Sequence, residues 1–277
     1  MLILAFDTTS EKGGVGIFRD AECLASVLNE GPANRYSITL FEMVEQVLRQ
    51  ARVELREIDL YAAANGPGSF TGIRVGLAAA RAWGKAFDRR VRGVSVLEAM
   101  VIKGCQRVTQ ESLPSPGGEG VRRRREGAPS TGGEGFLPLP GSPEPDWYFP
   151  ILDARRGEFY VGGFRRKPSE LPSATRQDYV PADAGWVLKP ELLRGLVEQR
   201  QASGASATCL VRAHDQTAAD LRASLPASLN WQPVEGALLD SIAEIARKEE
   251  QLGLPCPEAK LDAYYIRRPD AEVNWKG

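Results

Sequence analysis

The run Asn65-Gly66-Pro67-Gly68-Ser69-Phe70-Thr71-Gly72-Ile73-Arg74-Val75-Gly76 decides how the rest of the chain is read. An apolar run, Ile58 to Ala64, leads into it and predicts a buried strand. An alanine-rich run, Leu77 to Phe87, follows and predicts a helix. Gly72, Gly76, Ala80 and Gly84 recur at every fourth position, which on a helix lines them along one shallow groove. Glycine inside a helix is about 1 kcal/mol worse than alanine. A face built from it needs an offsetting reason, and close approach of another backbone is the natural one. That backbone can belong to a partner chain or to this protein's own sheet.

Upstream, Leu2 to Phe6, Gly13 to Phe18 and Cys23 to Leu28 are short apolar runs separated by turn residues, the pattern of a strand meander. Tyr36 to Ala51 carries Ile38, Leu40, Phe41, Val44, Val47, Leu48 and Ala51 at helical spacing. Downstream, Val91 to Val96 predicts another strand. Ser95 with Glu98 then forms a capping-box pattern for a helix running to about Cys105.

Composition changes between Gln110 and Asp146. Pro114-Ser115-Pro116-Gly117-Gly118-Glu119-Gly120 is echoed by Pro129-Ser130-Thr131-Gly132-Gly133-Glu134-Gly135, with Arg122 to Arg125 between the copies. Such a segment cannot build a core and reads as a flexible insertion. Its arginine run reads as a solvated loop rather than a nucleic-acid tether. Beyond it, Trp147 to Leu152, Asp153-Ala154-Arg155-Arg156-Gly157 and Glu158 to Phe164 repeat the opening device of strand, aspartate turn and strand. Helices are predicted over Pro190 to Gln199, Ala218 to Leu225 and Leu238 to Gln251, and a strand over Ala207 to Val211. The expected division is a first lobe over 1–109, an insertion over 110–146 and a smaller second lobe over 147–277.

The 277 residues carry a formal charge of −1, with no basic surplus for gripping nucleic acid alone. The four cysteines are scattered without a CxxC pair, which argues against a zinc site or disulfide framework. The opening Met1-Leu2-Ile3-Leu4-Ala5-Phe6 is too short for a signal segment, and no apolar run approaches membrane-spanning length. A cytoplasmic protein without membrane contact is expected. The single histidine, His214, excludes histidine-rich metal sites.

Asp7-Thr8-Thr9-Ser10 closes the first strand ahead of a glycine-rich second one. Backbone N–H groups and hydroxyls of such a turn can cradle phosphate, and its aspartate can hold a metal through water. Its recurrence at Asp153 suggests two hairpins facing one cleft. That arrangement characterises the two-lobed actin/hexokinase/Hsp70-like (ASKHA) ATPase fold, an α/β architecture, here with a shortened second lobe. Asp7, Thr8, Thr9, Ser69, Arg74 and Asp153 are the candidate phosphate or nucleotide contacts. The glycine loop lacks the lysine of a P-loop. Thr71 stands where a nucleophile elbow needs its second glycine. A peptidase reading of Ser69 or Thr71 has no nearby base, because His214 is distant in sequence.

With Asp7-Thr8-Thr9-Ser10, the glycine loop, Ser95-Val96-Leu97-Glu98-Ala99, Asp153-Ala154-Arg155-Arg156-Gly157-Glu158-Phe159-Tyr160 and Tyr265-Ile266-Arg267 in this order, the chain resembles the TsaB (YeaZ) family of the Gcp/TsaD-like superfamily. The resemblance implies the ASKHA fold and a non-catalytic scaffold role. Its partner would be a TsaD-like transferase that makes threonylcarbamoyladenosine beside the anticodon of ANN-reading tRNAs. A TsaE-like ATPase would join that pair, the lone chain would form a homodimer, and tRNA would be met only through the complex. No cofactor is implied beyond ATP or ADP held weakly or shared in the assembly. TsaD-like proteins use a histidine pair as metal ligands, which one histidine cannot supply. The expected docking residues are Tyr36, Leu40, Phe41, Val44, Gly72, Ile73, Gly76, Ala80 and Gly84. The chain departs from the family at Tyr36, where histidine is usual. It departs again at Arg212-Ala213-His214-Asp215, where a glycine-containing turn is usual. The rival reading is an ATPase or small-molecule kinase of the same fold acting alone, with Asp7 and Asp153 at the phosphates.

Overall fold

The computed structural model describes residues 1–32, 35–111, 145–167, 179–182, 185–202, 204–213, 221–222, 225, 229–257 and 261–263. The predicted helix over Ala218 to Leu225, most of the predicted insertion and the tail motif at Tyr265 lie outside these residues, wholly or in large part.

Two sheets carry the fold. The first is five-stranded, in the order β3-β2-β1-β4-β5. Its members are β1 (Leu2–Asp7), β2 (Gly14–Arg19), β3 (Glu22–Leu28), β4 (Leu60–Gly66) and β5 (Arg90–Ser95). β1, β2 and β3 pair antiparallel, while β4 and β5 continue parallel to β1. Alternation along β1 explains how one sheet carries two cores. Leu2, Leu4 and Phe6 point to one side, where α1 (Tyr36–Ala51) and α2 (Phe70–Ala86) cover them. Ile3 and Ala5 point to the other, under α3 (Val96–Glu111) and α5 (Leu239–Gln251).

The second sheet is seven-stranded and contains the path β10-β7-β6-β11-β12. Its strands are β6 (Trp147–Asp153), β7 (Phe159–Val161), β8 (Phe164–Arg166), β9 (Tyr179–Pro181), β10 (Trp186–Leu188), β11 (Ala207–Arg212) and β12 (Asn230–Val234). β8 pairs with β6 and β9. Helix α4 (Pro190–Ala202) packs Leu193 and Val197 into this lobe's own core with Phe149, Ile151 and Trp231. The expected strand from Glu158 to Phe164 is two short strands, interrupted at Gly162 and Gly163.

Helix α5 lies in the second lobe by sequence, yet in space it packs on β1, β2, β4 and β5 of the first sheet. A buried ion pair ties it there. Arg92 of β5, 2% exposed, donates from Nη2 to Glu250 Oε2 at 2.8 Å and from Nε at 3.2 Å, with Glu249 at 3.7 Å. Tyr148, Leu210 and Val234 of the second lobe share the same core as α3 and α5, so these helices form the layer between the lobes. Mixed α/β sheets in two lobes, each opening on an aspartate turn, give the ASKHA-like architecture expected from the sequence. Among the described residues no helix is long and apolar enough to cross a membrane.

Candidate functional site

Helix α2 starts earlier than its alanine-rich run suggested, at Phe70, because Ser69 caps it. The Ser69 hydroxyl accepts a hydrogen bond from Gly72 N at 3.3 Å. Gly66, with φ 116°, lets the chain turn sharply out of β4. The turn brings the start of α2 against the end of β1. Ser69 N donates to Thr9 O at 2.7 Å, and Thr8 Oγ1 donates to Gly72 O at 2.7 Å.

The glycine face is therefore filled by the protein's own turn and by its β5 strand. A Cβ on Gly72 would overlap the Thr8 carbonyl oxygen and lie 3.0 Å from its carbon. One on Gly76 would overlap Thr8 Oγ1, and one on Gly84 would overlap the Val91 side chain. The expectation of an open groove along Gly72, Gly76, Ala80 and Gly84 is corrected: the three glycines are met from within, by Thr8 backbone and side chain and by the Val91 side chain. Tyr36, Leu40, Val44, Ile73 and Ala80 are buried too, so of the expected docking residues only Phe41 faces outward. Tyr36 acts as a strut, donating from its hydroxyl to Ser10 O at 3.0 Å. Burial, reinforced by the nearby Asp7 carboxylate, raises its phenol above the ordinary tyrosine range.

A different surface of the same helices is exposed. Ile38 is 67% exposed and Phe41 60% exposed on α1. Phe41 leans edge-on against Trp83 of α2, with ring centroids 5.6 Å apart. Trp83 in turn stacks on Phe6 of β1 at 5.7 Å, which anchors the patch to the sheet. At the start of α2, Phe70 is 42% exposed beneath the Arg74 guanidinium, 3.8 Å from the ring centre. Arg74 thus lies over an aromatic ring on the outer side of α2. Ile38 and Phe41, three residues apart, are neighbours on the outer surface of α1.

The first aspartate turn is closed. Asp7 is 0% exposed. Its Oδ1 accepts from Thr9 N at 3.2 Å and from Thr9 Oγ1 at 2.6 Å. Its Oδ2 accepts from Leu238 N at 3.3 Å and from Arg212 Nη2 at 3.4 Å. The Arg212 nitrogen also donates to Ser10 Oγ at 2.8 Å. Thr8 and Thr9 are buried with Asp7, so the candidate phosphate turn faces inward rather than into an open cleft. Asp153 closes its own hairpin, accepting from Arg155 N at 2.7 Å. From the second lobe it is Arg212, one strand over from Asp153, that bonds Asp7. Sequence reading missed Arg212 by ending the strand at Val211. The available signal was a charged residue directly following an apolar strand.

Comparison with known proteins agrees with this geometry. The family model described as "TsaD: tRNA N6-adenosine threonylcarbamoyltransferase" matches residues 28–116, which include α1 and α2. A Bacillus subtilis protein named "tRNA threonylcarbamoyladenosine biosynthesis protein TsaB" is 25% identical over 167 residues, covering 60% of this chain and 56% of that protein. The Escherichia coli protein of the same name is 32% identical over 100 residues, covering 36% of this chain and 42% of that one. The chain is similar to TsaB (YeaZ) proteins over part of its length. The match spans about half the length of the TsaB relatives from Buchnera aphidicola (Sg) and Bacillus subtilis. A Pseudomonas aeruginosa structure, described as an uncharacterized protein similar to the peptidase YeaZ, superposes with a TM-score of 0.63 at 20% identity. The superposition covers 96% of this chain and 99% of that one, so the TsaB-like fold extends over both lobes.

Proposed function

We propose that this TsaB-like chain is a non-catalytic subunit in the making of threonylcarbamoyladenosine on tRNA. It pairs with a TsaD-like transferase through the outer face of α1 and α2. The single observation that carries the proposal is the exposed apolar ridge of Ile38 and Phe41, braced on Trp83. The TsaD model covers the same two helices. A TsaD-like partner therefore carries their counterparts, and the two lobes can meet face to face about a pseudo-two-fold axis. The same face pairs two copies of this chain when no partner is present.

The chemistry belongs to the partner. The chain has one histidine, short of the pair the resemblance assigns to the TsaD-like metal site. With a formal charge of −1 it meets tRNA only within the complex, which a TsaE-like ATPase joins, in the cytoplasm. The test is co-purification with the TsaD-like protein of the same organism, followed by tRNA modification with and without this chain. The proposal requires a heterodimer and modification that depends on it. A chain that stays apart from the partner, in a reaction that runs equally well without it, overturns it.

A further inference from the structure

An ASKHA fold implies a metal–nucleotide at the first aspartate turn, and the residues present do not fit one. A carboxylate offers about four lone-pair positions. At Asp7 all are used by Thr9 N, Thr9 Oγ1, Leu238 N and Arg212 Nη2. None is left for a metal-bound water. Its negative charge is balanced by the Arg212 guanidinium, which is 2% exposed.

We infer that Arg212 is a built-in cation, occupying the place that a divalent ion takes beside this aspartate in a nucleotide-binding relative. Three observations converge on this. First, the partners come from opposite lobes: Asp7 ends β1 of the first sheet, and Arg212 ends β11 of the second. Second, Arg212 Nη2 bridges Asp7 and Ser10, two members of the turn that would otherwise cradle phosphate. Third, Arg212 Nε and Nη1 have no hydrogen-bond partner among the described residues. An arginine placed to maximise bonding uses its planar fork, and this one is held mainly by charge. A buried ion pair with orphaned donors adds little net stability over an apolar pair of the same shape, so its consequence here is geometric. It fixes the approach of the two lobes and closes the phosphate turn to a nucleotide. The lobes then form one rigid body that needs no nucleotide to hold its shape.

Chemical rescue tests this on the full chain, with thermal unfolding as the readout. Wild type should show no change in Tm with magnesium or magnesium–ATP. Arg212→Ala leaves Asp7 buried and uncompensated, and Tm should fall on the order of 10 °C. Magnesium, or guanidinium below denaturing concentration, should restore part of that loss. The rescue should vanish in the Asp7→Asn, Arg212→Ala double variant, which should itself melt above Arg212→Ala alone. If Arg212→Ala does not fold, recovery of folded protein in the double variant supports the same conclusion. Three results overturn it: a saturable magnesium–ATP shift in wild type that Asp7→Asn abolishes, an Arg212→Ala variant that neither melts lower nor responds to either cation, or a double variant no better folded than the single. None of these depends on pairing with a TsaD-like protein, so this inference and the proposed function fail separately.

Discussion

Replacing Gly72 with alanine sets helix propensity against packing. On an open helix face the change would stabilise the protein by about 1 kcal/mol. In the folded chain the new methyl overlaps the Thr8 carbonyl oxygen and lies 3.0 Å from the carbonyl carbon. The turn cannot easily retreat. Ser69 N holds Thr9 O at 2.7 Å, Thr8 Oγ1 holds Gly72 O at 2.7 Å, and Asp7 is tied from both lobes. Overpacking costs about 1–3 kcal/mol, and loosening these two bonds adds about 1 kcal/mol each. Less the gain in propensity, the net loss is roughly 2–4 kcal/mol, or about 5–15 °C in Tm for a chain of this size. A thermal melt of the purified variant by circular dichroism decides it. A Tm equal to wild type, or higher, refutes the packing of α2 on the β1 turn. Gly76→Leu carries the same logic further: it should unfold the first lobe rather than merely block docking, because its side chain collides with Thr8.

Phe41→Asp should leave the lobe folded and break pairing. It removes roughly 1.5 kcal/mol of apolar burial and puts a carboxylate into the seam, so association should weaken by about a hundredfold or more. Sedimentation of the mixed proteins checks this, and unchanged affinity would count against the α1–α2 face. Glu250→Ala strands Arg92, leaving it Glu249 at 3.7 Å among the described residues, and should lower unfolding stability in urea by about 2–3 kcal/mol. Alkali should also destabilise the fold. Burial pushes the Tyr61 phenol from 10.0 up to about 12 and raises Tyr36 as well. Between those values the unfolded chain has released the proton and the folded chain still holds it, so stability is full below pH 10 and falls as pH rises toward 12. Tyrosinate absorbance followed alongside circular dichroism should show these two ionising only as structure is lost. Ionisation of all tyrosines at ordinary pH with the fold intact would contradict their burial.

Elements governed by local spacing were legible from the sequence. The apolar positions between Tyr36 and Ala51 predict α1 with the ends it has. The opening strands fall where turn residues divide the apolar runs. Elements that depend on distant pairing were not. β12 contains Gln232 and Pro233, which break any strand pattern, and it exists because Cys209 and Val211 of β11 pair alongside it. Small residues on α2 announce that some backbone comes close, but not whose. The answer lies in the parallel pairing of β1 with β4, which carries Thr8 to the foot of α2. Arg212 and Asp7 are 205 residues apart, and each alone looks like an ordinary strand end.

The outward face was legible in one respect that the glycine pattern obscured. A helix lying on a single sheet needs one apolar stripe, and Leu40, Val44 and Val47 supply it, all buried. Counting along the helix, Phe41 and Ile38 sit roughly 100° and 160° round from Leu40, outside any arc one sheet can cover. Both are exposed while the stripe is closed. Two apolar side chains outside that arc are left for the proposed pairing to cover. On α1 these are Ile38 and Phe41, whereas on α2 Gly72 and Gly76 already meet Thr8 and Gly84 meets Val91. The proposed docking face therefore follows from the residues left over after the fold is accounted for, and the glycine face follows from the fold itself.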